Sequence, residues 1–167
     1  EDMVKDIRGK KSDPRIETEL DLMVKGFIPK DYVPDLNQRL DFYRRMQVAS
    51  EYDEGLAIAS ELEDRYGPHP ESVAKLLALL EIRMLCQRIH ISKIELKHND
   101  ACLHLLPSTA INPQILTSLF DERLSMQSEY KIKIRLDRKG WKTDLKLVAN
   151  YLQRLANSLL PVEIDNE

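Results

Sequence analysis

The chain has 167 residues, 43% of them apolar, and a net charge of −3 from 25 basic and 28 acidic residues. This composition suits one domain with a buried core and lacks the strongly basic balance of a dedicated nucleic-acid-binding domain. No apolar run approaches the roughly 20 residues of a membrane span, so we expect no membrane contact. Cys86 and Cys102 lie in apolar patterns and are expected to be buried, reduced thiols, which favours a cytoplasmic protein.

The first residues predict the end of a preceding domain. Residues 1–7 have the pattern of a helix end that Gly9 stops, and residues 10–14 form a polar linker. Because the chain begins without an initiator methionine, we expect a fragment of a longer protein. We therefore assign residues 1–14 to the preceding domain and linker, residues 15–160 to one domain, and residues 161–167 to a polar tail.

Period-two alternation of apolar residues predicts a first strand over residues 16–24. Asp35, with Gln38 three residues later, predicts the capping box of a helix that runs to about residue 50. A second helix is predicted over about residues 53–66. A third helix begins with Pro70 as a first helical residue and runs to about Ile89. Its apolar residues cover most faces, which is typical of a central, buried helix.

The C-terminal half predicts a hairpin, a helix, a strand and a last helix. The hairpin strands lie around Ile94 and Cys102, and the next helix begins at Asn112. A strand around Ile134 precedes a helix capped by Thr143 or Asp144 and stopped by Pro161. This order predicts an α+β domain dominated by helix, with a small sheet that we expect to be antiparallel.

The segment ELEDRYGPHP at residues 61–70 joins the second helix to the third. Tyr66 ends the second helix, and Gly67 is predicted to be its left-handed C-cap. Pro68 prevents the helix from continuing, and Pro70 starts the next one.

Several kinds of catalytic and metal chemistry have no matching motif in this sequence. The five glycines lie too far apart to form a phosphate-binding loop, so no ATP or other cofactor is expected in this fragment. Cys102 and His104 share one strand face and His98 lies across the turn, but a metal site needs three or four converging ligands. We interpret them as residues of an ordinary hairpin. No GxSxG motif is present.

A basic strand and turn near the C-terminus offers one alternative function. Nucleic-acid backbone is a possible partner for these side chains, with Trp141 among them; the residues are Lys131, Lys133, Arg135, Arg138, Lys139 and Lys142. Strand alternation alone predicts the same pattern, with lysines on the solvent face and Trp141 capping the core. We favour that simpler interpretation.

An acidic face on the second helix offers another candidate. Asp53, Glu54, Glu61 and Asp64 fall within an arc of about 100°, and Glu61 and Asp64 are neighbours on the helix surface. Like charges so placed repel each other, whereas arginines on a partner would form strong charge-assisted bonds with them. An ordinary solvated helix face is the competing interpretation.

Three blocks of the sequence resemble the C-terminal domain of bacterial transcription-repair coupling factors. The first comprises FIPKDYVPD at residues 27–35 and RLDFYRR at residues 39–45, and the second is ELEDRYGPHP at residues 61–70. The third is the long helix leading into ISKI at residues 91–94. The resemblance covers roughly residues 17–160, and His90 departs from it because many relatives have glycine there.

The resemblance implies a non-catalytic domain of an ATP-driven DNA translocase that acts on stalled RNA polymerase and recruits UvrA. ATP and magnesium would belong to the parent's motor, and DNA would be contacted through the parent. The domain would pack on the UvrB-like module of the same protein and mask its UvrA-binding surface. Glu61 and Asp64, with Glu54 as a further candidate, would form the salt bridges. An unrecognised small enzyme remains an alternative that a deep polar pocket would favour.

Overall fold

The computed structural model of the chain describes residues 16–109 and 112–159. Five strands and five helices lie in this part of the chain. In chain order they are β1 (Glu19–Asp21), α1 (Leu36–Val48), α2 (Tyr52–Tyr66), α3 (Glu71–Arg88), β2 (Ile91–Lys97), β3 (Asp100–Leu105), α4 (Pro113–Leu119), β4 (Leu124–Ser128), β5 (Lys131–Arg135) and α5 (Trp141–Leu159). The predicted helix end, the N-terminal linker and Pro161 lie outside the described residues.

The strands form one sheet in the order β1-β2-β3-β5-β4. Ile94 pairs with Leu103, and Leu103 pairs with Ile132, in antiparallel register. β1 instead runs parallel to β2, with Leu20 opposite Ile94. The α+β class is confirmed, but the expectation of an antiparallel sheet is wrong at this one pairing. A parallel pair needs a long crossover, which here contains the first three helices.

Two cores meet at α3, which was predicted to be a central, buried helix with apolar residues on most faces. The larger core lies between the sheet and the helices α3 and α5, and includes Ile82, Ile94 and Leu152. The smaller core joins α1, α2 and α3 from Val73 to Met84, with Phe42 and Leu62 almost fully buried. Gly26 lies against α3 so closely that a Cβ atom there would be 2.2 Å from the backbone nitrogen of Leu76. The chain segment before α1 is therefore held against α3.

Several element boundaries differ from their predictions. The first strand has three residues rather than nine, and β4 was not predicted. Pro70 is the N-cap residue of α3 rather than its first helical residue. The last helix begins at Trp141, before both predicted caps.

The caps of the first two helices follow their predictions in part. Asp35 caps α1 by accepting a hydrogen bond from Asn37, but Gln38 does not complete the capping box. Its Oε1 instead accepts a hydrogen bond from the Tyr66 hydroxyl. Gly67 has a φ of 90°, which favours glycine, although its ψ of −173° is not that of a left-handed helix.

Candidate interdomain contact site

The turn after α2 is fixed by aromatic residues from three parts of the chain. The Tyr32 hydroxyl lies 2.7 Å from the carbonyl oxygen of Gly67 and 3.0 Å from that of Leu62. The rings of Tyr32 and Tyr66 are 5.8 Å apart, and the Phe42 ring meets Tyr66 edge-on at 6.2 Å. These contacts join the first two blocks of the family resemblance into one packed unit. Helix α2 therefore ends in a defined position.

Helix α2 presents the predicted acidic face beside this unit. Asp53 and Glu54 lie in its first turn, where negative charge also interacts favourably with the helix dipole. The side chains of Glu54 and Asp64 are exposed, and within residues 16–109 and 112–159 neither makes a hydrogen bond or an ion pair. Glu54 thus has a local role in the helix, whereas nothing in the described fold requires the charge of Asp64.

Glu61 differs because two arginines already hold it. Its Oε2 lies 2.7 Å from Nη1 of Arg45 on α1 and 3.3 Å from Nη1 of Arg65 one turn along α2. The hydrogen bond from Arg45 is the main reason why the pKa of Glu61 is lowered. Both guanidinium groups also lie over the Phe42 ring, at 5.3 and 5.8 Å from its centre. The predicted like-charge repulsion is therefore offset at Glu61 inside the domain.

The three predicted contact residues consequently differ in what they can offer a partner. Among the described residues, the carboxylates of Asp64 and Glu54 have no partner, whereas Glu61 shares its charge with Arg45 and Arg65. Both of these arginines contact Oε2, and Oε1 of Glu61 has no partner among the described residues. Sequence periodicity placed all three on one face. It gave no signal for Arg45, which approaches from another helix.

The basic residues of the alternative site divide into two groups. Lys131, Lys133 and Arg135 lie on β5 opposite His104, Cys102 and Asp100 of β3, and their face of the sheet also carries Glu95. Glu95 accepts a hydrogen bond from His104 at 2.8 Å and lies 3.5 Å from the Nζ atoms of both Lys93 and Lys97. Acidic and basic groups thus lie side by side on this face. DNA binding by it stays a prediction.

The second basic group follows β5, and one of its side chains is paired within the domain. Arg138 donates two hydrogen bonds to the buried carboxylate of Asp144, and Lys139 and Lys142 are exposed. Trp141 packs against the larger core and donates a hydrogen bond to Glu71 at 2.8 Å. The interpretation of Trp141 as a cap of the core is confirmed.

The sites that the sequence offered for metal or acid–base chemistry have ordinary structural environments. Among the described residues no group of three His, Cys, Asp or Glu side chains is placed to hold a metal ion. Cys86 and Cys102 are free and buried, as predicted, and burial raises the pKa of both thiols. A cavity of about 140 Å³ beside Trp141 is lined by Arg138 and Asp144, but these pair with each other. None of the described helices is long and apolar enough to cross a membrane.

The fold is that of a helix-rich α+β domain known from a larger repair protein. The crystal structure of the C-terminal domain of a transcription-repair coupling factor superposes with a TM-score of 0.77. It covers 87% of this chain and 95% of that domain at 17% identity. This likeness shows the fold.

The sequence comparisons establish the family. The profile of the TRCF domain matches residues 22–116, and the chain therefore belongs to the TRCF domain family. The transcription-repair-coupling factor of Escherichia coli is 26% identical over 147 residues, which are 86% of this chain and 13% of that protein. The factor of Myxococcus xanthus is 42% identical over 86 residues, which are 50% of this chain and 7% of that protein. The chain thus spans about an eighth or less of these relatives.

Proposed function

We propose that the chain is the non-catalytic C-terminal regulatory domain of a transcription-repair coupling factor. The parent would be a cytoplasmic, ATP-dependent DNA translocase that acts on stalled RNA polymerase in nucleotide excision repair. The motor, with its ATP and magnesium, would lie outside this domain. The family match and the small share of each relative that the chain spans support this assignment.

The domain would regulate the parent by covering the UvrA-binding surface of its UvrB-like module. A basic surface on that module would be complemented by an acidic surface on this domain, and the acidic face of α2 has the required negative charge. Salt bridges at the rim of an interface contribute about 0.2–1 kcal/mol each. Such weak contacts suffice within one chain, because tethering supplies an effective concentration of roughly millimolar. They also allow the cover to open when the motor engages.

The geometry suggests a different contact with the partner surface for each of the three carboxylates. Asp64 carries the proposal, since it is exposed and unpaired within the described fold on the helix that ends in the family motif. Glu54 would contact the partner at a second point, about two turns from Glu61 and three turns from Asp64 along α2. Glu61 would use Oε1 while Arg45 and Arg65 hold Oε2. An arginine of the partner would then meet a carboxylate whose position is already fixed.

A titration in trans tests this proposal. The 167-residue chain is added to the UvrB-like module of its parent, with and without UvrA, and binding is followed by calorimetry. We expect binding that UvrA displaces and that the Glu54→Arg, Asp64→Arg double variant loses. The matched control is the Glu122→Arg, Glu129→Arg variant, which makes the same charge change at exposed positions around β4. Absence of binding near millimolar concentration, or equal losses in both variants, would overturn the proposal.

A further inference from the structure

Helices α2 and α3 leave an open apolar groove between them, away from the acidic face. The groove has a volume of about 170 Å³, and its walls include Tyr52, Leu56 and Ala59 of α2 and Leu77, Glu81 and Met84 of α3. Tyr52 is 56% exposed and Leu56 is 49% exposed. Ala59, which lines the groove, points about 140° away from Asp64 around α2, since successive residues turn by about 100°. The groove is therefore a second surface of the same helix.

Small residues create this groove. Gly55 lets α2 approach α3 so closely that a Cβ atom there would lie 2.9 Å from the Met84 methyl carbon. Ala59 follows one turn later on α2, and Ala78 of α3 also lines the groove. A space of this size suits one bulky apolar side chain, because an engineered cavity of about 150 Å³ binds benzene.

Glu81 gives the groove a charge preference. Its carboxyl group is partly buried among the apolar walls, and burial raises its pKa. Within the described part of the chain it makes no hydrogen bond or ion pair, and none of the residues lining the groove is basic. Holding a carboxylate in an apolar setting without a partner costs free energy. A cation supplied from outside would remove that cost.

We propose that this groove binds a helical segment of a protein partner, which inserts one bulky apolar side chain and pairs a neighbouring lysine or arginine with Glu81. An amphipathic helix places an apolar anchor and a cation on one face at a spacing of three or four residues. The exposed Tyr52 and Leu56 would be covered by the same segment. This inference does not depend on the role of the acidic face.

Three matched peptides test the proposed chemistry. The first is an alanine-rich helical peptide with one leucine and, four residues later, one arginine; the second replaces the arginine with glutamate and the third replaces the leucine with alanine. Each is titrated into the 167-residue chain while NMR follows the methyl groups of Leu56, Leu77 and Met84. We expect the first peptide to shift these methyl signals and to bind about tenfold more tightly than either of the others, as one charge-assisted contact or one buried anchor implies.

Two variants connect that preference to named residues. Glu81→Gln keeps the shape of the groove and should make the arginine and glutamate peptides bind equally. Glu122→Gln removes an exposed carboxylate before β4 and should change nothing. The proposal fails if no peptide shifts the groove methyls, or if Glu81→Gln keeps the preference for arginine. It also fails if dilution of the chain alone shifts the same signals, because a second copy would then occupy the groove.

Discussion

Nη1 of Arg45 on α1 lies 2.7 Å from Oε2 of Glu61 on α2, within the acidic face that we propose as a docking surface. Arg45 is itself positioned over the ring of Phe42, and Arg65 approaches the same carboxylate oxygen. This acidic side chain of the face is thus fixed before any partner arrives. Fixing a side chain in advance reduces the entropy lost on binding, so this ion pair would favour docking as well as the fold.

Removing the charge of Glu61 should weaken the fold, whereas removing that of Asp64 should not. We expect Glu61→Gln to lower the free energy of unfolding by about 0.2–1 kcal/mol, the usual range for an exposed ion pair. The free energy of unfolding of Asp64→Asn should stay within about 0.5 kcal/mol of that of the unsubstituted domain, as is usual for surface substitutions. Urea unfolding of both variants measures the difference. Equal stabilities would show that the Arg45 contact contributes nothing to folding.

Loss of the Tyr32 hydroxyl should destabilise the turn after α2. Tyr32→Phe keeps the ring contact with Tyr66 but leaves the carbonyl oxygens of Leu62 and Gly67 without this donor. We expect a loss of about 1 kcal/mol, typical of one hydrogen bond. Tyr130→Phe is the matched control, since Tyr130 is 44% exposed. A thermal unfolding midpoint equal to that of the control would contradict this role.

Asp121 should make the domain lose stability in acid. Burial alone would raise its pKa, but hydrogen bonds from the Tyr151 hydroxyl and the backbone N–H groups of Leu124 and Arg123 lower it to about 2. A carboxyl group whose pKa is lower in the folded state stabilises the fold at neutral pH, and this contribution is lost as the pH falls from about 4 towards 2.

The Asp121→Asn variant isolates this contribution. Its free energy of unfolding should fall less steeply between pH 4 and pH 2 than that of the unsubstituted domain, because the asparagine does not titrate. Urea unfolding at a series of pH values measures both slopes. Parallel slopes would mean that Asp121 keeps its ordinary pKa in the folded domain.

Glu81 should have the opposite effect on stability. Burial raises its pKa, so the folded state retains a proton that the unfolded chain has already released. Stability then falls as the pH rises through the ordinary glutamate range towards the raised pKa, and stays lower at neutral pH. We expect Glu81→Gln to increase the unfolding midpoint at pH 7 and to have little effect near pH 4. A lower midpoint at pH 7 would show that the carboxylate stabilises the fold.

The sequence predicted features that depend on near neighbours and missed those that depend on distant ones. Asp35 was recognised as a cap because its partner is two residues away, but the role of Gln38 depends on Tyr66 in another helix. β4 was missed because its apolar residues Leu124 and Met126 are too few to show alternation, and its pairing with β5 shifts register after Met126.

The same division applies to the sheet and to the candidate site. Alternation identified the strand that contains Leu20, yet its parallel pairing with β2 follows only from the packing of three intervening helices. Helical periodicity placed Glu61 and Asp64 on one face. The ion pair with Arg45, which makes them unequal, joins two helices and leaves no local signal in the sequence.

The affinity of UvrA for the full-length parent tests the central claim most directly. The measurement compares the natural protein with a variant that carries Glu54→Arg and Asp64→Arg in this domain, and circular dichroism confirms that the variant is folded. If the domain masks the UvrA-binding surface, the variant should bind UvrA about tenfold more tightly, because apparent affinity rises with the population of the open state. Equal affinity in a folded variant would contradict masking by the acidic face of α2.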